Sequence, residues 1–394
     1  METPRLQIPI EHGAHERMKT IATRAGSLVS RVVALDALRG LTVLGMIVVN
    51  TAGFLHDPEG LPAYGTLLHS AWAGFTLADA VFPSFILIVG VSIACSLAAT
   101  RIVGGEARSR AFGTIAARTA RLLFVGFLIS NLGWLQIPDD SHVRVFGVLQ
   151  RIGLVYGVCA TLYLTTSSRL RLALAVGILL AYWPLTLLPT PDGPADLLAP
   201  GRNIVSWTER AMFGTHLYVP GRHGFDPEGL LSMLPAIAQG LIGVAVGEWI
   251  IGRGPSVATA RALAWAGAAV TVVGLAWCLV YPPIKAIWTS SFVLIATGPT
   301  LIALGLLYLA LDVRGAKFPG RVVLLAFGAN AVTAYVLHEV GSVALEAPLF
   351  RQIYEADAHV VSRDAAALPP VILYTLLVWA PIAWLYRKRW IIKI

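Results

Sequence analysis

Apolar runs of about twenty residues recur along nearly the whole chain, and no other feature limits its fold so strongly. A helix needs ~20 mostly apolar residues to cross a bilayer, where each backbone N–H and C=O must be satisfied within the segment. Ten segments qualify: 33–54, 77–99, 113–134, 145–166, 170–189, 230–252, 259–281, 288–311, 321–343 and 367–386. Hydrophobic residues make up 56% of the chain, charged residues only 13%, and the mean hydropathy is +0.71. Disorder and an ordinary soluble domain are thereby excluded. The expected fold is all-α: a polytopic membrane protein with about ten transmembrane helices, embedded in the lipid bilayer.

The distribution of Lys and Arg tests that count independently of hydropathy. With a cytoplasmic N-terminus, the tail carries Arg5, Arg17, Lys19, Arg24 and Arg31, whereas the next connection, 55–76, has no Lys or Arg. Basic residues return with Arg101, Arg108, Arg110 and Arg118, then at every second connection, and finally at Arg387, Lys388, Arg389 and Lys393. This alternation places 20 of the 30 basic residues inside. An even number of spans follows, with both termini cytoplasmic. The net charge of +8 reads as positive-inside loops and not as a nucleic-acid surface. Residues 1–30 are polar and lack an apolar signal core, so a cytoplasmic tail without a cleavable signal is expected. Cys95, Cys159 and Cys278 lie within apolar runs and give neither metal spacing nor a disulfide framework; no metal site is expected.

Against this apolar background, polar groups inside spans stand out. A charge at the bilayer centre costs ~2.5–3.5 kcal/mol on insertion scales, so such residues face the bundle interior and find partners. The topology sorts them by depth. Near the outer end are Asn50, Asp79, Gln150, Arg151, Trp288, Thr289, Ser290, Ser291, His338 and Glu339, flanked by the loop residues His69, Asp226 and Glu228. Near the inner end are Asp36, Arg39 and Arg121. The stretch from Leu68 to Phe85 is the focus of the outer set: His69 lies just before the second span, Asp79 where it begins, and Pro83 one turn inside. Helix–helix ties are the plainer reading of any one of these residues. Asp36 and Arg39, three apart on one helical face, can simply pair with each other.

These residues also carry a resemblance. Leu35-Asp36-Ala37-Leu38-Arg39-Gly40 with Asn50, His69-Ser70-Ala71-Trp72 with Ala78-Asp79-Ala80-Val81-Phe82-Pro83, Gly147-Val148-Leu149-Gln150-Arg151, Asp226-Pro227-Glu228-Gly229, and Asn330 with Tyr335 and His338-Glu339 occur in order along the chain. In these segments the sequence resembles the transmembrane heparan-alpha-glucosaminide N-acetyltransferase family, including its bacterial relatives in amino-sugar utilisation. The segment between Asn50 and His69 is longer than the family pattern. The resemblance implies that residues 31–394 form a transmembrane acyltransferase domain and that His69 is the active-site residue, with Asn50 and Asp79 beside it.

It further implies acetyl-CoA as the acetyl donor on the cytoplasmic side. The acceptor would be the amine of glucosamine or a related amino sugar on the periplasmic side of a bacterial inner membrane. A homodimer is left open. His69 would act as a general base toward the acceptor amine or carry the acetyl group as acetyl-imidazole. Asp79 would orient the imidazole and Asn50 would donate to the oxyanion. Asp226, Glu228, Trp288, His338, Glu339 and Arg151 are the candidates for holding the sugar. Arg39, Arg121, Asp36 and Asn330 are those for CoA, because guanidinium groups bind phosphate bidentately. Two other readings stand beside this one: an O-acyltransferase of cell-envelope polysaccharide, and a sugar transporter. Duplicated halves with matching broken helices, common in transporters, are not visible in the sequence.

Overall fold

A computed structural model of the protein describes residues 31–56, 60–133 and 143–392. The expected tail, 1–30, lies outside the described residues. The helices run in the order α1 Val33–His56, α2 Leu77–Val103, α3 Gly105–Ser130, α4 Val148–Thr165, α5 Ser168–Thr186 and the short α6 Ile204–Phe213. They continue as α7 Met233–Arg253, α8 Val257–Cys278, α9 Ser290–Leu307, α10 Arg321–Ala329, α11 Ala331–Gly341, α12 Pro348–Ala358, α13 Arg363–Ala366 and α14 Leu368–Arg387. Among the described residues, nine spans are long and apolar enough to cross a membrane, and a bent pair supplies the tenth. The molecule is an all-α polytopic membrane protein.

Packing in lipid relies on close backbone approach, because lipid tails are as apolar as the helices themselves. Helices α2 and α7 show this. A Cβ at Gly90 would lie 2.0 Å from the Gly240 carbonyl, and one at Gly243 would lie 2.2 Å from the Leu87 carbonyl. Two more contacts use the same device: Gly40 and Gly328 join α1 to α10, and Gly267 and Gly298 join α8 to α9. Buried polar side chains tie the end opposite His69. Arg101 and Arg171 both donate to Glu248, at 2.8 and 2.5 Å, and both guanidinium groups lie over the Tyr163 ring.

The ninth expected span, 321–343, is not one straight helix. Helices α10 and α11 meet at Asn330 with a bend of 85°. Asn330 adopts φ −119°, ψ 39°, and its side chain is spent on the chain end: Nδ2 donates to the Trp390 carbonyl at 3.2 Å and Oδ1 accepts from the Ile392 N–H at 3.1 Å. Irregular backbone at membrane depth persists only where protein satisfies the freed groups. One of them, the Gly328 carbonyl, accepts from Arg39 at 3.3 Å.

Candidate functional site

The site begins with a helix start. Thr76 caps α2: its hydroxyl accepts from the Asp79 N–H while the Asp79 carboxylate accepts from the Thr76 N–H, a reciprocal capping box. This cap fixes the Asp79 carboxylate at the mouth of the span. Oδ2 accepts from the backbone N–H of Ser70 and of Thr76, each at 3.1 Å. Oδ1 lies 2.9 Å from Nδ1 of His69. The Asp79 side chain is fully buried, whereas that of His69 is 43% exposed. One flank of the pair is therefore protein and the other is open.

A second loop completes it. The bridge between Ala73 and Ile284 runs the His69 loop alongside the connection from α8 to α9, with Gly74 N–H donating to the Pro283 carbonyl at 2.9 Å. This places Lys285 Nζ 3.0 Å from both ring nitrogens of His69 and 3.9 Å from Asp79 Oδ1. Burial draws Lys285 below the ordinary lysine range, while Asp79 and Glu228 pull it back up. The loop closes through Trp288, a non-glycine residue at φ 53° whose ring is fully buried against Phe82 and Phe292.

Beside this pair lies a compact ion cluster. Arg144 grips Asp226 with two parallel bonds, Nε to Oδ2 at 2.9 Å and Nη2 to Oδ1 at 2.6 Å, and reaches Glu228 at 2.5 Å. Burial raises Asp226, with Arg144 working against it; Arg144, Arg151 and Lys285 outweigh burial at Glu228 and lower it. Behind them sits Glu209 on α6, 1% exposed, accepting from the Asp226 N–H at 2.9 Å. Burial, together with the charges of Asp226 and Glu228, pushes Glu209 up to about 8. Arg151 has no exposed surface; it donates to Ser232 and the Gly229 carbonyl and lies 4.6 Å over the Trp288 ring.

The expected site residues thus separate. His69 and Asp79 meet directly. Asp226 and Glu228 share Arg144. Asn50 meets Glu339, which also meets the Tyr335 hydroxyl; among the described residues no hydrogen bond joins Asn50 to His69. His338 differs from expectation: it turns from Glu339 into the apolar core and packs 5.5 Å from Tyr374, whose hydroxyl donates to the His338 carbonyl. Adjacent residues on a helix point to different faces, and here His338 packs on Tyr374 while Glu339 meets Asn50 and Tyr335. Arg151 and Trp288 are buried beneath the cluster and present no surface to a sugar. At the other end, Arg39 pairs with Asp36 at 3.0 Å and donates to Ser92 at 2.8 Å. Arg121 is exposed and bonds back to its own helix at Ala117. Lys285 and Arg144 were missed as site residues because each is a lone loop charge until folding assembles it, and Glu209 because it lies on a short helix within a long connection.

Between the two ends lies a narrow apolar cleft, lined by Thr42, Met46, Phe82, Phe85, Ile152 and Tyr335 among others. Arg39, Thr42, Met46 and Asn50 recur at helical spacing on one stripe of α1, and Thr42 and Met46 of that stripe line the cleft.

Comparison with known proteins adds an independent finding. The family model described as heparan-alpha-glucosaminide N-acetyltransferase, catalytic, matches residues 31–282. Heparan-alpha-glucosaminide N-acetyltransferase from Homo sapiens is 28% identical over 370 residues, covering 80% of this chain and 54% of the human protein. The Mus musculus protein matches with the same identity and coverage. The chain spans about half the length of the curated relatives it matches.

Proposed function

Since the chain belongs to the family of heparan-alpha-glucosaminide N-acetyltransferase catalytic regions, we propose that it is a transmembrane acetyltransferase moving acetyl from acetyl-CoA to the amine of glucosamine or a related amino sugar. The pairing of His69 with Asp79 carries this reading. A buried carboxylate holding Nδ1 of a half-exposed imidazole leaves Nε2 as the reacting atom. Nε2 serves either route, taking a proton from the acceptor amine or taking the acetyl group itself.

The donor's nucleotide belongs at the inner end, where Arg39, Asp36 and Asn330 cluster around the bend. The cleft suits the thioester arm in its chemistry: its walls are apolar, with polar groups only at intervals such as Thr42 and Tyr335. Arg121 lies one turn along α3 from Arg118, whose charge reaches Arg39, and completes that set. The acceptor belongs at the open flank of His69, with Asp226, Glu228 and Glu339 as the groups for sugar hydroxyls. We place the protein in the bacterial inner membrane, with His69 facing the periplasm and residues 31–394 acting as one unit; its partners are acetyl-CoA, the amino sugar and the bilayer. The test is acetyl transfer from acetyl-CoA to glucosamine by purified protein, read by mass spectrometry. His69→Ala should abolish product; undiminished transfer by that variant would remove His69 from the mechanism.

A further inference from the structure

Lys285 Nζ lies 3.0 Å from Nδ1 and 3.0 Å from Nε2 of His69. An atom equidistant from both nitrogens at that range must stand over the ring face, because in the ring plane it would overlap Cε1. The ammonium therefore lies out of the plane that holds the Nε2 lone pair. Among the described residues, two charged groups face the imidazole. Asp79, from the first turn of α2, holds Nδ1. Lys285, from the loop before α9, covers the face and reaches Asp79 at 3.9 Å. Glu228 and Arg151 act on Lys285 from the neighbouring cluster, with opposite signs.

A buried carboxylate whose only cationic partner is a histidine favours the imidazolium, and an imidazolium has no lone pair to offer. Here a second cation already stands within 4 Å of the same carboxylate. A cation over the ring is tolerated by a neutral imidazole and repelled by a charged one. We propose that Lys285 is a positioning residue of the transfer site: its ammonium balances the Asp79 carboxylate, so that His69 binds Asp79 through Nδ1–H as a neutral imidazole with Nε2 free. This deepens the reading of His69 as the acetyl-handling group and rests on it.

The position is built. The Trp288 N–H donates to the Lys285 carbonyl at 3.0 Å, and the Ile284 N–H donates to the Thr289 hydroxyl at 3.0 Å, closing the turn. The Lys285 side chain is only 18% exposed, so its charge is little diluted by water.

Diethyl pyrocarbonate acylates the unprotonated imidazole nitrogen and needs neither acetyl-CoA nor sugar. Carbethoxylation of His69 would be followed by peptide mass spectrometry from pH 5 to 8 on the full chain in detergent. The set comprises the wild type, Lys285→Met, Lys285→Gln and Lys285→Arg. The two neutral variants should lose reactivity on acidification about one pH unit earlier than wild type, roughly tenfold slower labelling at acid pH. Lys285→Arg should follow wild type. Either neutral variant carries the test if the other fails to fold, and Asp79→Asn in the Lys285 background should shift the profile the opposite way. Profiles that superimpose, or that differ by one factor at every pH, would overturn the assignment. Loss of the Lys285 effect and retained acetyl transfer by His69→Ala are separate results, so the two readings fail separately.

Discussion

Glu209→Gln should make the protein more stable at neutral pH. Glu209 is 1% exposed; Oε2 accepts from the Asp226 N–H and Oε1 has no partner among the described residues. Burial first, then the charges of Asp226 and Glu228, raise it from 4.5 to about 8. The sign follows from linkage. Below about 4.5 both folded and unfolded chains hold the proton, and the group contributes no pH dependence. Between about 4.5 and 8 the unfolded chain releases the proton and the folded one keeps it, so stability falls as pH rises. Above about 8 both have released it and the slope ends. Each unit is worth ~1.36 kcal/mol, so the penalty at pH 7 is about 3 kcal/mol as an upper bound. Glutamine keeps the size and the acceptor for Asp226 N–H and cannot ionise. Thermal unfolding in detergent should show the variant ahead of wild type at pH 7, with its lead shrinking toward pH 5. A lead independent of pH, or a variant less stable than wild type at pH 7 to 8, would refute the argument.

Asp79→Asn should lower acetyl transfer by ~10²–10⁴-fold, since the amide reverses the donor sense at the imidazole, as in other histidine–carboxylate pairs; turnover at saturating donor checks this. Gly90→Val should cost more than ~3 kcal/mol and eliminate the monodisperse peak in detergent, because its Cβ would stand 2.0 Å from the Gly240 carbonyl.

The ten spans were legible because each is a long apolar run and the Arg and Lys alternation checks their number. His69 with Asp79 was legible too. Thr76-Leu77-Ala78-Asp79 is a capping-box pattern directly before an apolar run, a signal that fixes where α2 starts and therefore where the carboxylate stands. The bend at Asn330 was not legible. No proline marks it, and the groups that stabilise it, Trp390 and Ile392, arrive from about sixty residues away. Lys285 was hidden for the same reason: 216 residues separate it from His69, and only the Ala73–Ile284 bridge brings the two loops together. The surroundings of His338 were not legible either: its neighbour Tyr374 comes from α14, and only the fold brings the two rings together.

The placement of charge explains why chemistry is better sited at the mouth of a span than at its middle. An ionised carboxylate at the bilayer centre pays several kcal/mol of desolvation unless fully partnered. At the start of α2 the partners come with the fold: two backbone N–H groups, the Thr76 hydroxyl and the positive end of a helix dipole all point at Asp79. Lys285 adds a full positive charge from a loop that needs no room in the membrane. The carboxylate is thus held ionised without demanding that His69 be charged. The His69 side chain is 43% exposed. In the proposed reaction the acceptor amine approaches it from water, while the thioester arm comes up the apolar cleft from the Arg39 end. The imidazole is then the point at which the two compartments meet.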